Sequence, residues 1–166
     1  SLLIVVVVVA GLVVGSFLTV VVDRVPRGGS VVAPPSACGS CGSRLGPLDL
    51  VPVVSWLALR GRCRRCGTSI GIEPIVVELT TAALFALMAV RFDDQRAVIP
   101  AFCILMAVLV AQTWIDLHTQ RLPREITYTG IALGGAALAI AAIVLDAPER
   151  IWMAALGALI AVATMW

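Results

Sequence analysis

The chain has 166 residues, of which 60% are hydrophobic and 13% charged, and its mean hydropathy is +1.04. That balance excludes an ordinary water-soluble domain and marks an integral membrane protein. The net charge of +2, carried with 12 basic residues that are all arginine, is too small to argue for nucleic acid as a partner.

A hydrocarbon core of about 30 Å needs roughly 20 helical residues. Five apolar runs approach that length: 2–22, 75–91, 98–115, 126–145 and 150–166. The expected fold class is therefore all-α and polytopic, with five candidate transmembrane helices and a small zinc-ribbon-like insertion after the first. The first run is longer than the apolar stretch of a secretory signal, and no small-residue cleavage site follows it. Pro74 fits the start of the second helix. Gly11 with Gly15, and Gly130 with Gly134, place a small residue at every fourth position. Such spacing lets membrane helices approach closely, unless these glycines are only common members of apolar runs. Ser1 stands at the head of one apolar run and Trp166 inside another, so both ends read as cut from a longer parent.

Arginine is concentrated in two of the connections. Segment 23–74 holds Arg24, Arg27, Arg44, Arg60, Arg62, Arg64 and Arg65, and segment 116–125 holds Arg121 and Arg124. Positive loops stay on the cytoplasmic side, which puts these two connections inside and the N-terminus outside. The expected division is 1–22 as the first transmembrane helix, 23–74 as a cytoplasmic metal-binding domain and 75–166 as the second to fifth helices. Asp116 then lies at the cytoplasmic end of the third run.

Segment 23–74 contains two Cys-x-x-Cys pairs, CGSC at 38–41 and CRRC at 63–66, each followed directly by a glycine. Two pairs of thiolates, Cys38 with Cys41 and Cys63 with Cys66, complete a tetrahedron around Zn²⁺ and fold a loop with little core of its own. Two disulfides are the competing reading, disfavoured in a reducing cytoplasm. Cys103 sits within an apolar run and reads as core packing.

The blocks GSFLTVVVDRVP at 15–26, LVPVVSWLALRGRCRRCGTSI at 50–70, EPIVVELTTAALFALMAVRF at 73–92 and WIDLHTQRLP at 114–123, in this order around CGSC, resemble the type IV prepilin peptidase family. The resemblance implies an inner-membrane aspartyl endopeptidase that cuts the leader from type IV prepilins or pseudopilins at the cytoplasmic face of the bilayer. Many members also methylate the new N-terminus with S-adenosylmethionine. Asp116 matches the first catalytic aspartate; the second belongs to a Gly-x-Gly-Asp motif, which does not occur in these 166 residues. This chain alone is therefore expected to be inactive as a protease. Thr19, Asp23 and Arg124 depart from residues common in the family and bear on substrate preference. The other reading is a non-catalytic zinc-binding membrane module in pilus or secretion assembly.

A carboxylate beside hydrocarbon is expensive and marks either a function or the water boundary. Amide hydrolysis gives Asp116 a use, because two close carboxylates share one proton and so supply both a base and an acid. His118 reads as a solvated loop residue rather than a catalytic one. Glu78, inside the second run, reads either as a favourable charge near a helix N-terminus or as lining of a cavity. Glu73 and the Arg64–Arg65 pair read as solvated surface.

Overall fold

The computed structural model describes residues 2–120, 122–149, 151–153 and 155–156. Five α-helices are α1 (Leu2–Arg24), α2 (Val54–Ala58), α3 (Glu73–Arg91), α4 (Ile99–Thr119) and α5 (Arg124–Val144), and short 3₁₀ turns cover Val25–Arg27, Pro47–Leu50 and Asp93–Val98. All but α2 are long and apolar enough to cross a membrane. Of the five expected spans, four are thus present among the described residues. The fifth, 150–166, lies for the most part outside them.

Local sequence explains the helix limits. Pro74 and Pro100 occupy the first turns of α3 and α4, where a missing N–H leaves no helical bond unmade. Helix α4 runs on to Thr119, past the end of its apolar run, and stops where Gln120 turns into the left-handed region at φ 51°. Asp116 and His118 are therefore on the last turn of a helix and not in a loop.

The arrangement of the helices follows from their small residues. A Cβ at Gly11 would meet the Ala82 Cα at 2.7 Å, and one at Gly15 the Glu78 Cα at 2.7 Å. Rising numbers on α1 face falling numbers on α3, so the two helices are antiparallel with their backbones in contact. The expected close approach is present at this pair. Antiparallel α4 and α5 show a milder version: a Cβ at Gly130 would strike Val108, Gly134 faces Ile104 at an ordinary 3.9 Å, and Gln112 Nε2 donates to Thr127 Oγ1 at 2.8 Å. One core gathers Leu18, Val21, Val77, Val110 and Ala111 from α1, α3 and α4. A second joins Phe85, Ile99 and Cys103, so Cys103 is a buried core residue.

Backbone cannot yield as a flexible side chain does, which makes Gly15 the sensitive position. Gly15→Ala is expected to lower the thermal stability of the purified protein by about 1–3 kcal/mol through overpacking. Gly135→Ala, where a Cβ meets nothing within 4 Å, should be neutral or slightly stabilising, because alanine favours the helix by about 1 kcal/mol. Equal melting temperatures for the two variants would contradict this packing.

Candidate functional site

The segment between α1 and α3 is built on a repeated local geometry. Cys38 N–H donates to the Ser43 carbonyl and Gly42 N–H to the Cys38 carbonyl; Cys63 N–H donates to Thr68 and Gly67 N–H to Cys63 in the same way. Each half closes with a single antiparallel bridge, Ala37 with Arg44 and Arg62 with Ser69. Gly42 and Gly67 lie at φ 68° and 71°, a left-handed conformation that glycine adopts without steric cost. Both Cys-x-x-Cys-Gly motifs thus fold as equivalent knuckles.

The knuckles face each other. The sulfurs of Cys38, Cys41, Cys63 and Cys66 all lie within 4.8 Å of one another, a cluster able to hold a metal ion. All four are free thiols, and Cys38 Sγ stands 3.8 Å from Cys66 Sγ. A tetrahedral ion with metal–sulfur bonds of about 2.3 Å requires sulfur–sulfur edges of about 3.8 Å, so the donor set fits Zn²⁺. Backbone N–H groups of Cys66 and Arg65 aim at Cys63 and bring its thiol down to about 6. The Ser43 hydroxyl and N–H lower Cys41. At Cys38 the N–H groups of Cys41 and Ser40 also favour the thiolate, but partial desolvation and the Cys63 and Cys41 sulfurs outweigh them and the thiol is raised. Cys41 and Cys63 are thus biased toward the thiolate before any metal arrives, and Cys38 is not.

Two side chains join the knuckles to the rest of the segment. Asp49 Oδ2 accepts the Gly46 N–H at 3.0 Å, capping the 3₁₀ turn, while Oδ1 accepts Arg64 Nε at 2.7 Å. Arg64 is accordingly paired across the module and not simply solvated. Trp56 Nε1 donates to the Gly71 carbonyl at 2.7 Å, and its ring lies so close to Gly61 that a Cβ there would meet it at 2.8 Å. The Ser-Trp-Leu and Arg-Gly-Arg-Cys sequences therefore form one packed unit.

The Arg64 guanidinium, then the Gly46 N–H, hold the Asp49 carboxyl below its usual range. A depressed folded value means the contribution of this clip is present above the ordinary carboxylate range and is lost as the pH falls through the depressed value. Asp49→Ala is expected to speed proteolytic cutting of the module at pH 7 by about two- to fivefold, as befits a partly exposed pair. An unchanged cutting rate at pH 7 would show that the clip contributes nothing.

Between the module and the ends of α1 and α3 lies a cavity of about 440 Å³, lined among others by Ser16, Thr19, Trp56, Arg65 and Glu78. Glu78 lines it from the second turn of α3 with only 7% of its surface exposed. Its Oε2 accepts the Val53 N–H at 2.7 Å, a link between a spanning helix and the module.

Asp116 is exposed near the C-terminus of α4, and its carboxylate has no hydrogen-bond or ion-pair partner among the described residues. His118, on the last turn of α4, is anchored on both ring nitrogens. The Trp114 carbonyl can only accept, so Nδ1–H donates to it at 2.7 Å. Nε2 stands 3.2 Å from Glu73 Oε1 at the start of α3. This contact shows that the last turn of α4 lies at the same end of the helices as the cysteine module. It also replaces the reading of His118 and Glu73 as independent solvated groups. The Glu78–Val53 and Asp49–Arg64 links were not apparent from sequence. The first depends on Val53 adopting φ 60°, which no valine signals.

Comparison with known proteins agrees with this architecture. Residues 9–92, just over half of the chain, match the model of the bacterial peptidase A24 N-terminal domain. The chain is 45% identical to the prepilin leader peptidase/N-methyltransferase of Myxococcus xanthus over 131 residues, covering 79% of this chain and 38% of that protein. It is 34% identical to the Bacillus subtilis protein of the same name, covering 70% and 46%, and 30% identical to that of Dichelobacter nodosus, covering 93% and 62%. The chain thus spans between about two fifths and three fifths of the length of these relatives. No solved structure matches it. The family-model match, which runs from α1 through the cysteine knuckles to the end of α3, shows that the chain belongs to the bacterial A24 peptidases, the family of the prepilin leader peptidase/N-methyltransferases.

Proposed function

We propose that this chain is part of an aspartyl endopeptidase that removes the leader of type IV prepilins or pseudopilins at the cytoplasmic face of the bacterial inner membrane. Methyl transfer to the newly exposed N-terminus is its second activity. The observation that carries the reading is the placement of a carboxylate, Asp116, with no partner among the described residues, on the last turn of a membrane-length helix, at the end of the helices that also bears the cysteine module. An arginine bound to Asp116 would hold it ionised; a free carboxylate can share a proton with a second one. The second aspartate, by family resemblance in a Gly-x-Gly-Asp motif, is contributed from outside these 166 residues. One carboxylate takes the proton from the attacking water, and its partner gives one to the leaving amine.

Cys38, Cys41, Cys63 and Cys66 would hold Zn²⁺, which supplies a cross-link between the knuckles and takes no part in the hydrolysis. The methyl donor is S-adenosylmethionine, and the methyltransferase name carried by the relatives supports this. The arginines of the module and of the segment after α4 support a cytoplasmic placement of this end, with the N-terminus outside.

The test uses the full-length protein in its native membrane. An impermeant thiol reagent applied to intact cells should leave Leu117→Cys unlabelled and should label it after the cells are opened. In membranes, the same protein should convert a prepilin to its mature form. Labelling from the outside, or absence of cleavage, contradicts the proposal.

A further inference from the structure

The cavity under the cysteine module contains a buried charge that the proteolytic reading does not use. Glu78 is more than nine-tenths buried, and a carboxylate in that setting needs hydrogen bonds or a counter-charge. Its Oε2 is occupied by the Val53 N–H. Its Oε1 has no hydrogen-bond partner among the described residues. Nor is Oε1 sealed in, since no unpartnered side-chain oxygen is fully enclosed. Glu78 is among the residues that line the cavity.

The surroundings are built. Val53 lies at φ 60° and ψ −49°, and Val54 N–H reaches back to the Pro52 carbonyl at 2.5 Å. This is a γ-turn of the rare, strained hand, on a β-branched residue. Such a conformation persists only where its surroundings over-determine it, and it clusters at binding sites. Here the Glu78 carboxylate holds the turn through the Val53 N–H. Arg44 and Arg65 also line the cavity, and neither guanidinium makes a close ion pair among the described residues, although Asp49, which lines it too, feels the Arg65 charge. The space therefore offers one carboxylate oxygen without a hydrogen-bond partner, from α3, and two guanidinium groups outside any close ion pair, from the module. Its volume of about 440 Å³ is that of a small-molecule site.

We propose that this cavity binds an organic cation that also carries an anionic group, with Glu78 Oε1 as counter-charge to the cation and Arg44 and Arg65 as counter-charges to the anion. Its assignment to methyl transfer rests on the methyltransferase reading of the chain. Two ligands of that reaction have this chemistry. One is the amino-acid end of the sulfonium donor, with its ammonium and carboxylate. The other is the free α-ammonium of a processed peptide that carries a carboxylate further along.

The experiment measures equilibrium binding to the full-length protein in nanodiscs, using S-adenosylmethionine and, separately, a mature-pilin N-terminal peptide with its α-amine free or acetylated. Glu78→Gln is the discriminating variant, because the amide oxygen still accepts the Val53 N–H while the charge is gone. Metal content and melting temperature report that the module remains folded. The wild-type protein is expected to bind at least one probe, and Glu78→Gln to weaken that binding by about tenfold or more, the scale of a charge-assisted hydrogen bond. A loss confined to S-adenosylmethionine assigns the donor; a loss confined to the free-amine peptide assigns the acceptor. Arg65→Ala, which keeps the backbone N–H and removes an exposed side chain with no hydrogen bond among the described residues, should weaken the same ligand and keeps the proposal decidable if Glu78→Gln fails to fold. Binding of neither probe to the wild type, or binding by both variants within twofold of wild type, overturns the site. A wild-type protein that binds a probe through Glu78 yet transfers no methyl group keeps the site and rejects the methyltransferase reading.

Discussion

Asp116→Asn in the full-length protein is expected to reduce prepilin cleavage by at least 10²–10⁴-fold, on the order of what a positioned acid–base group contributes. Asparagine has the shape of aspartate but can neither accept a proton from water nor share one with a second carboxylate. The structural cost of the change is small. The Asp116 side chain is exposed and engages nothing among the described residues, so stability should shift by no more than about 0.5 kcal/mol. Activity is therefore lost without loss of fold, which is the distinction that matters. Cleavage would be followed by the mobility shift of the mature pilin, and folding by melting temperature in detergent. A variant that retains wild-type turnover removes Asp116 from the reaction.

Removal of the metal is expected to have the largest structural effect. Across residues 25–72, Gly61 and Cys63 are the only buried residues, so the module has no hydrophobic core to fall back on. Its order comes from the knuckles, the Asp49–Arg64 clip, the Trp56 stack and whatever ion joins the four sulfurs. Structural zinc contributes roughly 10–16 kcal/mol in small domains of this kind at neutral pH. That far exceeds what one ion pair provides. Chelation, or Cys63→Ser, should therefore open residues 25–72 to protease while α1, α3 and α4 stay protected. The cavity above Glu78 loses its roof in the same event. Elemental analysis alongside limited proteolysis checks this: about one equivalent of zinc is expected in the wild type. A module that resists protease equally with and without zinc would show that the thiols have no structural role.

Sequence made some of this legible and concealed the rest, for physical reasons. The cysteine knuckles are local: Cys-x-x-Cys-Gly fixes its own turn, so spacing alone indicated where the sulfurs would gather. The spanning helices were visible because hydropathy integrates over many residues. The end of α4 was not, because Asp116 and His118 break the apolar run while the backbone continues helical to a left-handed cap at Gln120. The long-range links were also invisible. Val53 accepts an unfavourable φ only because Glu78, 25 residues later, supplies an acceptor. His118 and Glu73 are 45 residues apart and meet only because the start of α3 lies beside the end of α4. Glycine spacing suggested close helix contact but could not say that α1 would choose α3.

That choice has a thermodynamic consequence for the module. By bringing backbone against backbone at Gly11 and Gly15, the two spans hold the stem of the intervening segment shut, so the entropy of closing that long loop is already spent before any ion binds. Metal affinity and transmembrane pairing are thereby one linked equilibrium: each should strengthen the other, and a lesion deep in the bilayer should be felt as weaker zinc retention at its surface.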